Sequence, residues 1–145
     1  MSQTTAPLQL DAYFFDSLSV KTNPKGDPGY RLSEDELVIK VRYGMRKDDP
    51  TKHKVEMTVR NDPKNPKATY WFSIIVLGFF TVPESPEAQT LIVVTGSSMI
   101  FGVIREILLN ITSRGPHPHL MLPTISSKVF VDIFSQEKGT KKKEQ

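Results

Sequence analysis

The chain has 145 residues, 38% of them hydrophobic and 24% charged, with a net charge of +3 at pH 7. That fits one globular domain, long enough to bury about 68–70% of the surface its unfolded form exposes. It has no cysteine, which excludes disulfides, thiolate zinc sites and a cysteine nucleophile.

Charge is unevenly placed. The first twenty residues carry −2, residues 21–67 carry a local +4, and the last nine, EKGTKKKEQ, carry +2. The N-terminus, MSQTTAPLQLDAYFF, has no basic segment of the kind that opens a secretory signal. The longest apolar run, Tyr70 to Val82, is too short for the ~20 residues of a membrane helix. The expected location is therefore cytoplasmic, with no membrane insertion.

The eleven prolines punctuate the elements. Leu8 to Lys21 alternates as a first strand, with Leu8, Leu10, Ala12, Phe14, Leu18 and Val20 on one side and a misfit at Asp16 that predicts a bulge. KTNPKGDPGYRLS is a loop. Leu37, Ile39, Val41, Tyr43 and Met45 alternate as a second strand, and Val55, Met57 and Val59 mark a third. NDPKNPK turns into a fourth strand, Thr69 to Val82. Short connections favour antiparallel pairing.

The fourth strand is apolar on both sides. Tyr70, Phe72, Ile74, Val76, Phe80 and Val82 share one face, and Trp71, Ile75, Leu77 and Phe79 the other. A half-solvated strand alternates with polar residues, so this one is either covered twice within an assembly or keeps an apolar surface for a client.

PESPEAQ leaves the sheet, and Leu91 to Thr95 fits either an extended piece or a first helical turn. A long helix follows from about Ser97 to Ser113, capped at Ser97 or Ser98 and stopped by Gly115 at C′. Met99, Phe101, Val103, Ile104, Ile107, Leu108 and Ile111 span an arc of about 200°, where a helix on one core needs ~100°; Leu109 points away even from that arc. The helix must bury a second face, and another copy of the chain is the cheapest cover. Ser126 to Glu137 reads as a weaker amphipathic helix with Val129, Phe130, Ile133 and Phe134 on one stripe. Strands followed by helices predict an α+β fold, a four-stranded antiparallel sheet with one long and one shorter helix on one face.

LQLDAYFFDSLSVK, then LGFFTV, then MIFGVIREILLNITSRG and PHLMLP, in this order from Leu8 to Ile133, resemble the SecB family of protein-export chaperones. The most specific parts are Arg105–Glu106 in an apolar helix, Ser113-Arg114-Gly115, and the arm Leu120-Met121-Leu122-Pro123. The resemblance implies a single domain over residues 1–137 with a Lys-rich disordered tail at 138–145, and assembly as a tetramer, a dimer of dimers. It implies ATP-independent holding of unfolded or precursor polypeptides in apolar grooves. Phe15, Tyr43, Met45, Leu120, Met121, Leu122, Val129, Phe130 and Phe134 are the client-binding candidates. Met99, Phe101, Val103, Ile104, Leu108, Leu109 and Ile111 are the oligomer candidates.

The chain departs from the family on the outer sheet face, where members that hand clients to the SecA motor carry acids. By alignment those positions are Ser17, Lys21 and Ser73; Lys40, Arg42, Arg46, Lys54 and Arg60 surround them, with Glu56 the one acid. Together with Trp71 this is the candidate partner-docking face, and its charge argues against SecA docking in the usual way. Gly102 stands where the family helix commonly has proline, and His117 takes an aromatic position.

No chemistry of catalysis is visible. His117 and His119 flank Pro118 on a loop without carboxylates, a poor metal site, and His53 stands alone. Arg105–Glu106 reads as a structural ion pair, and the sequon at Asn110 falls inside a helix. Asp48-Asp49 and Glu34-Asp35-Glu36 read as solvated charge runs. No catalytic residue, metal or cofactor is assigned, and the chain is not expected to be an enzyme. Three readings follow: a holdase, a SecB-like chaperone dedicated to one partner such as an antitoxin, and, ranked below both, a single-stranded nucleic-acid binder using Lys40, Arg42, Lys54 and Arg60 with Tyr13, Phe15 and Trp71 on one face.

Overall fold

The computed structural model describes residues 8–144, with side chains through residue 135. Its four strands are β1 Gln9–Thr22, β2 Val38–Met45, β3 Lys52–Arg60 and β4 Tyr70–Thr81. They form one antiparallel sheet in the order β1-β4-β3-β2. The helical segments are α1 Ala88–Leu91, a π turn Ile92–Gly96, α2 Ser97–Thr112 and α3 Ser127–Glu144. The fold is the expected α+β arrangement.

β4 lies inside the sheet and offers large apolar side chains to both sides along most of its length. Phe72, Ile74, Val76 and Phe80 are buried with Val41, Val55, Met57 and Val59 under the helices. Trp71, Ile75, Leu77 and Phe79 lie on the opposite face, each half-buried. Beyond Arg60 the Asn61 side chain continues the ladder: its amide donates to the Tyr70 carbonyl at 2.9 Å and accepts from the Phe72 N–H at 2.9 Å.

β1 pairs with β4 through two slips of register, one at Asp11 and one at Asp16. The second was expected and the first was not. Together they redistribute the strand. Leu10, Tyr13, Phe15, Leu18 and Val20 pair with the core-facing residues of β4, while Ala12 and Phe14 pair with Phe79 and Leu77. Simple alternation had placed Ala12 and Phe14 with Leu10; each bulge inserts one residue and reverses the sides.

The helix starts earlier than expected. Ser97 is no N-cap: Gly96 before it is helical, and Ser97 is fully buried. Leu91 to Thr95 is helical, through the π turn. Buried positions Ile92, Gly96, Ile100, Ile104, Leu108 and Thr112 recur every fourth residue, which on a regular α-helix drifts by about 40° per step. A π turn, with its longer repeat, takes up part of that drift at its N-terminal end. Ala88–Thr112, interrupted in sequence by polar residues, is nonetheless long and apolar enough to cross a membrane by length and composition. Here it is the core helix of the sheet, with Ile92, Ile100, Ile104 and Leu108 at 0% exposure. α3 runs on to Glu144 rather than ending at Glu137, and carries the Lys-rich stretch along its backbone.

Close approach of helix to sheet depends on Gly78. A Cβ there would overlap the Ile100 Cδ1 and lie 3.1 Å from the Phe80 ring. Gly78→Ala is expected to destabilise the domain by about 1–3 kcal/mol through overpacking, read as a lower urea midpoint with unchanged slope.

Candidate functional site

The arm from Gly115 to Pro123 is held by the end of α2 and the start of β4. Thr112 is buried in the last turn; its hydroxyl donates to the Leu108 carbonyl and accepts from the Leu120 N–H, both at 2.8 Å. The Tyr70 hydroxyl accepts from the His117 N–H at 3.1 Å and lies 3.3 Å from the carbonyls of Thr112 and His117, which share its proton. The His117 ring stands edge-on to Tyr70, and its Nε2 donates to the Asn23 carbonyl at 2.7 Å. His117 is therefore an anchor rather than a solvated loop residue. Gly115 is not a left-handed C′ residue, since no described glycine has positive φ. Its place is steric: a Cβ would run into the Tyr70 hydroxyl.

This anchoring decides which client-binding candidates reach the surface. Leu120, Leu122 and Phe130 are at most 4% exposed and belong to the domain's own core, which corrects their assignment. Met45 and Met121 are 53% and 47% exposed, and Phe15, Tyr43, Val129 and Phe134 are half-buried. Tyr43 meets Phe134 edge-on at 5.8 Å, and Phe101 meets Phe130 at 5.7 Å, so α3 seats on the sheet and on α2. A groove of about 470 Å³ runs between the loop 28–32 and the arm residues Pro118 to Met121. Another, of about 260 Å³, lies between Gln89 to Val94 and the α3 residues Val131, Phe134 and Ser135. Leu18 keeps the side that alternation gives it and Tyr13 does not; they are 47% (Tyr13) and 44% (Leu18) exposed on the helix side of β1, beyond the cover of the helices.

The oligomer candidates divide in the same way. Phe101, Ile104 and Leu108 are at most 6% exposed and pack inside the protomer, so they offer nothing to a second copy. Met99 is 38% exposed, and Val103, Leu109 and Ile111 are half-buried along the outward side of α2. The wide apolar arc is thus one core face and one outward face. Among the described residues Arg105 and Glu106 form no ion pair with each other or with another group. Adjacent helical residues point apart, and the Arg105 Nη2 instead donates to the Met121 Sδ at 3.3 Å.

The outer sheet face gathers the docking candidates. Successive rows across β1, β4, β3 and β2 read Ser19-Ser73-Arg60-Val38, Ser17-Ile75-Thr58-Lys40, Phe14-Leu77-Glu56-Arg42 and Ala12-Phe79-Lys54-Gly44, with Lys21 beside Trp71 at the end. Phe14 and Phe79 are in contact at 5.8 Å between centroids. Tyr13 and Phe15 lie on the other face, so the nucleic-acid reading loses two of its three stacking residues.

His53 is buried at 3% exposure on the core face of β3, not free-standing. Its Nδ1 is 2.7 Å from the Tyr43 hydroxyl, and its Nε2 is buried without a hydrogen-bond partner. Burial lowers its pKa from 6.5, opposed by the weaker pull of the Pro50 backbone. Burial raises the Tyr43 phenol. Among the described residues no group of three or more His, Asp or Glu is placed to hold a metal.

The chain matches the family described as SecB, preprotein translocase subunit SecB, over residues 2–141. A solved structure with the same fold is the Mycobacterium tuberculosis SecB-like chaperone in complex with a ChAD peptide from the HigA1 antitoxin. It is 15% identical, with a TM-score of 0.58 over 83% of this chain and 88% of that one. No curated protein matches.

Two outcomes are expected. Thr112→Val leaves the buried Leu120 N–H without an acceptor, costing about 1–3 kcal/mol; hydrogen exchange at Leu120 should accelerate beyond that of the β4 amides. The unfolded His53 ring takes up a proton at higher pH than the folded one, so its contribution is present above about pH 6.5 and lost as pH falls. The urea midpoint should drop between pH 7.5 and 5.5, and His53→Gln should flatten that drop.

Proposed function

The chain belongs to the SecB family, and on that premise we propose that it is an ATP-independent holdase that binds unfolded or precursor polypeptides along its apolar surface. One observation carries the reading. On the helix side Tyr13, Leu18, Met45 and Met121 are all between 44% and 53% exposed, and apolar surface left in water adds nothing to the protomer's own stability. Two of the four are methionines, whose flexible thioether chains adapt to many partners. The helix-side residues Phe15, Tyr43, Met45, Met121, Val129 and Phe134 are the contacts this reading assigns to clients. It needs no nucleotide and no covalent step.

The reading includes assembly as a tetramer in the cytoplasm, with Met99, Val103, Leu109 and Ile111 at the seam between dimers and residues 1–137 acting as one domain. A second reading, a chaperone dedicated to one partner, is favoured by the outer face. Its Lys and Arg residues stand where a motor-docking surface would be acidic, and the antitoxin-bound structure supplies a precedent for such a partner. Export by handover to SecA is the form of the proposal that this face supports least.

The test is suppression of aggregation of a chemically unfolded protein at about one tetramer per client, without ATP. Met45→Glu with Met121→Glu should reduce protection severalfold while leaving the fold intact by circular dichroism, and ATP should change nothing. A solution mass of one chain, or no protection by the wild type, would overturn the reading. Val103→Asp with Ile111→Asp should convert tetramers to dimers.

A further inference from the structure

We propose that the outer face of the sheet docks an acidic, amphipathic segment of a partner protein, at a site separate from the helix-side surface assigned to clients. Trp71, Ile75, Leu77 and Phe79, with Ser73 between the first two, line one face of β4, a stripe about 27 Å long at the usual rise per residue. None of the described helices covers it, because α2 and α3 both pack on the other side. Phe14 widens the stripe towards β1 by its contact with Phe79.

The charge beside the stripe is one-sided. On β2 and β3, about 5–10 Å from β4 by strand spacing, Lys40, Arg42, Lys52, Lys54 and Arg60 share the face with one carboxylate, Glu56. Glu56 lies 3.8 Å from Arg42, and Lys52 lies 3.9 Å from Asp11. Lys40, Lys54 and Arg60 have no ion-pair partner among the described residues. The opposite margin, on β1, carries Asp11, held by the Thr81 hydroxyl and by Lys52, and Lys21 beside Trp71. A segment lying along β4 would bury its apolar side on Trp71 to Phe79 and turn its carboxylates towards β2 and β3. Charge complementarity of this kind sets partner and orientation more than raw affinity.

A second copy fits poorly, since the carboxylates its same face offers, Glu56 and Asp11, are already paired within the protomer. Nucleic acid fits poorly, since Tyr13 and Phe15 point away.

The chain's one tryptophan, Trp71, lies on this face and reports its occupation. The probes are a synthetic peptide alternating Glu with Leu and Phe, and its Lys-for-Glu counterpart, added to the full chain. The Glu peptide should blue-shift Trp71 emission and bind at least about tenfold more tightly than the Lys peptide, with affinity falling as salt rises from about 50 to 300 mM. Lys40→Glu, Lys54→Glu and Arg60→Glu together should invert the preference, and the corresponding Gln substitutions should abolish it, while both variants still suppress client aggregation. No Trp71 response, equal affinity for the two peptides, or tighter binding of a single-stranded oligonucleotide or of anionic lipid vesicles at this face would overturn the proposal. Loss of client protection in the Glu and Gln variants would also overturn it, by merging the two sites. A Trp71 response in a chain that protects no client would sink the holdase reading alone.

Discussion

β4 presents Phe72, Ile74, Val76 and Phe80 to one side and Trp71, Ile75, Leu77 and Phe79 to the other, and the protomer covers only the first set. Every other element is arranged around that asymmetry. The strand takes the middle of the sheet because an edge position would waste both faces. The helices lie close on one side because Gly78 lets Ile100 descend onto the strand. What remains outside is an apolar stripe whose neighbours on β2 and β3 are cationic, so the molecule has two surfaces of different chemistry separated by the thickness of one sheet.

The arm illustrates a second economy. Two hydroxyls, Tyr70 and Thr112, tie the exit of α2 to the backbone at His117 and Leu120. These bonds lie in a buried setting where an unmade partner is costly. They hold Leu120 and Leu122 inward, which leaves Met121 between them facing out. The alternation of buried and exposed residues along an irregular segment comes from those anchors, not from any strand partner.

Much of the architecture is legible in the residue pattern. Period-two apolar positions and prolines at the borders locate all four strands, and the doubled apolar faces of β4 and α2 announce that one layer is not enough. Other features are hidden for physical reasons. An apolar arc shows how much of a helix avoids water but not which flank meets its own sheet, so Phe101, Ile104 and Leu108 read as interface when they are core. The π turn hides the true start of the helix, because Ser97 looks like a cap by type and is buried by context. Gly115 reads as a helix stop by type, but what requires glycine there is the Tyr70 hydroxyl, a contact 45 residues away in sequence. His53 carries no signal of burial in its neighbours except the strand period it belongs to.

The two slips in β1 can be treated as a matter of parity. A strand assigns sides by odd and even position, and a single inserted residue exchanges them. Asp11 makes the first exchange and Asp16 the second, so Leu10 and Val20 recover the same side although the stretch between them is inverted. Striking out both aspartates leaves a strand that alternates without error and keeps every remaining side chain where it now is. Striking out one inverts everything on one flank of the cut. The pair therefore behaves as a matched set of brackets, and neither aspartate can be lost in evolution or in a library without the other.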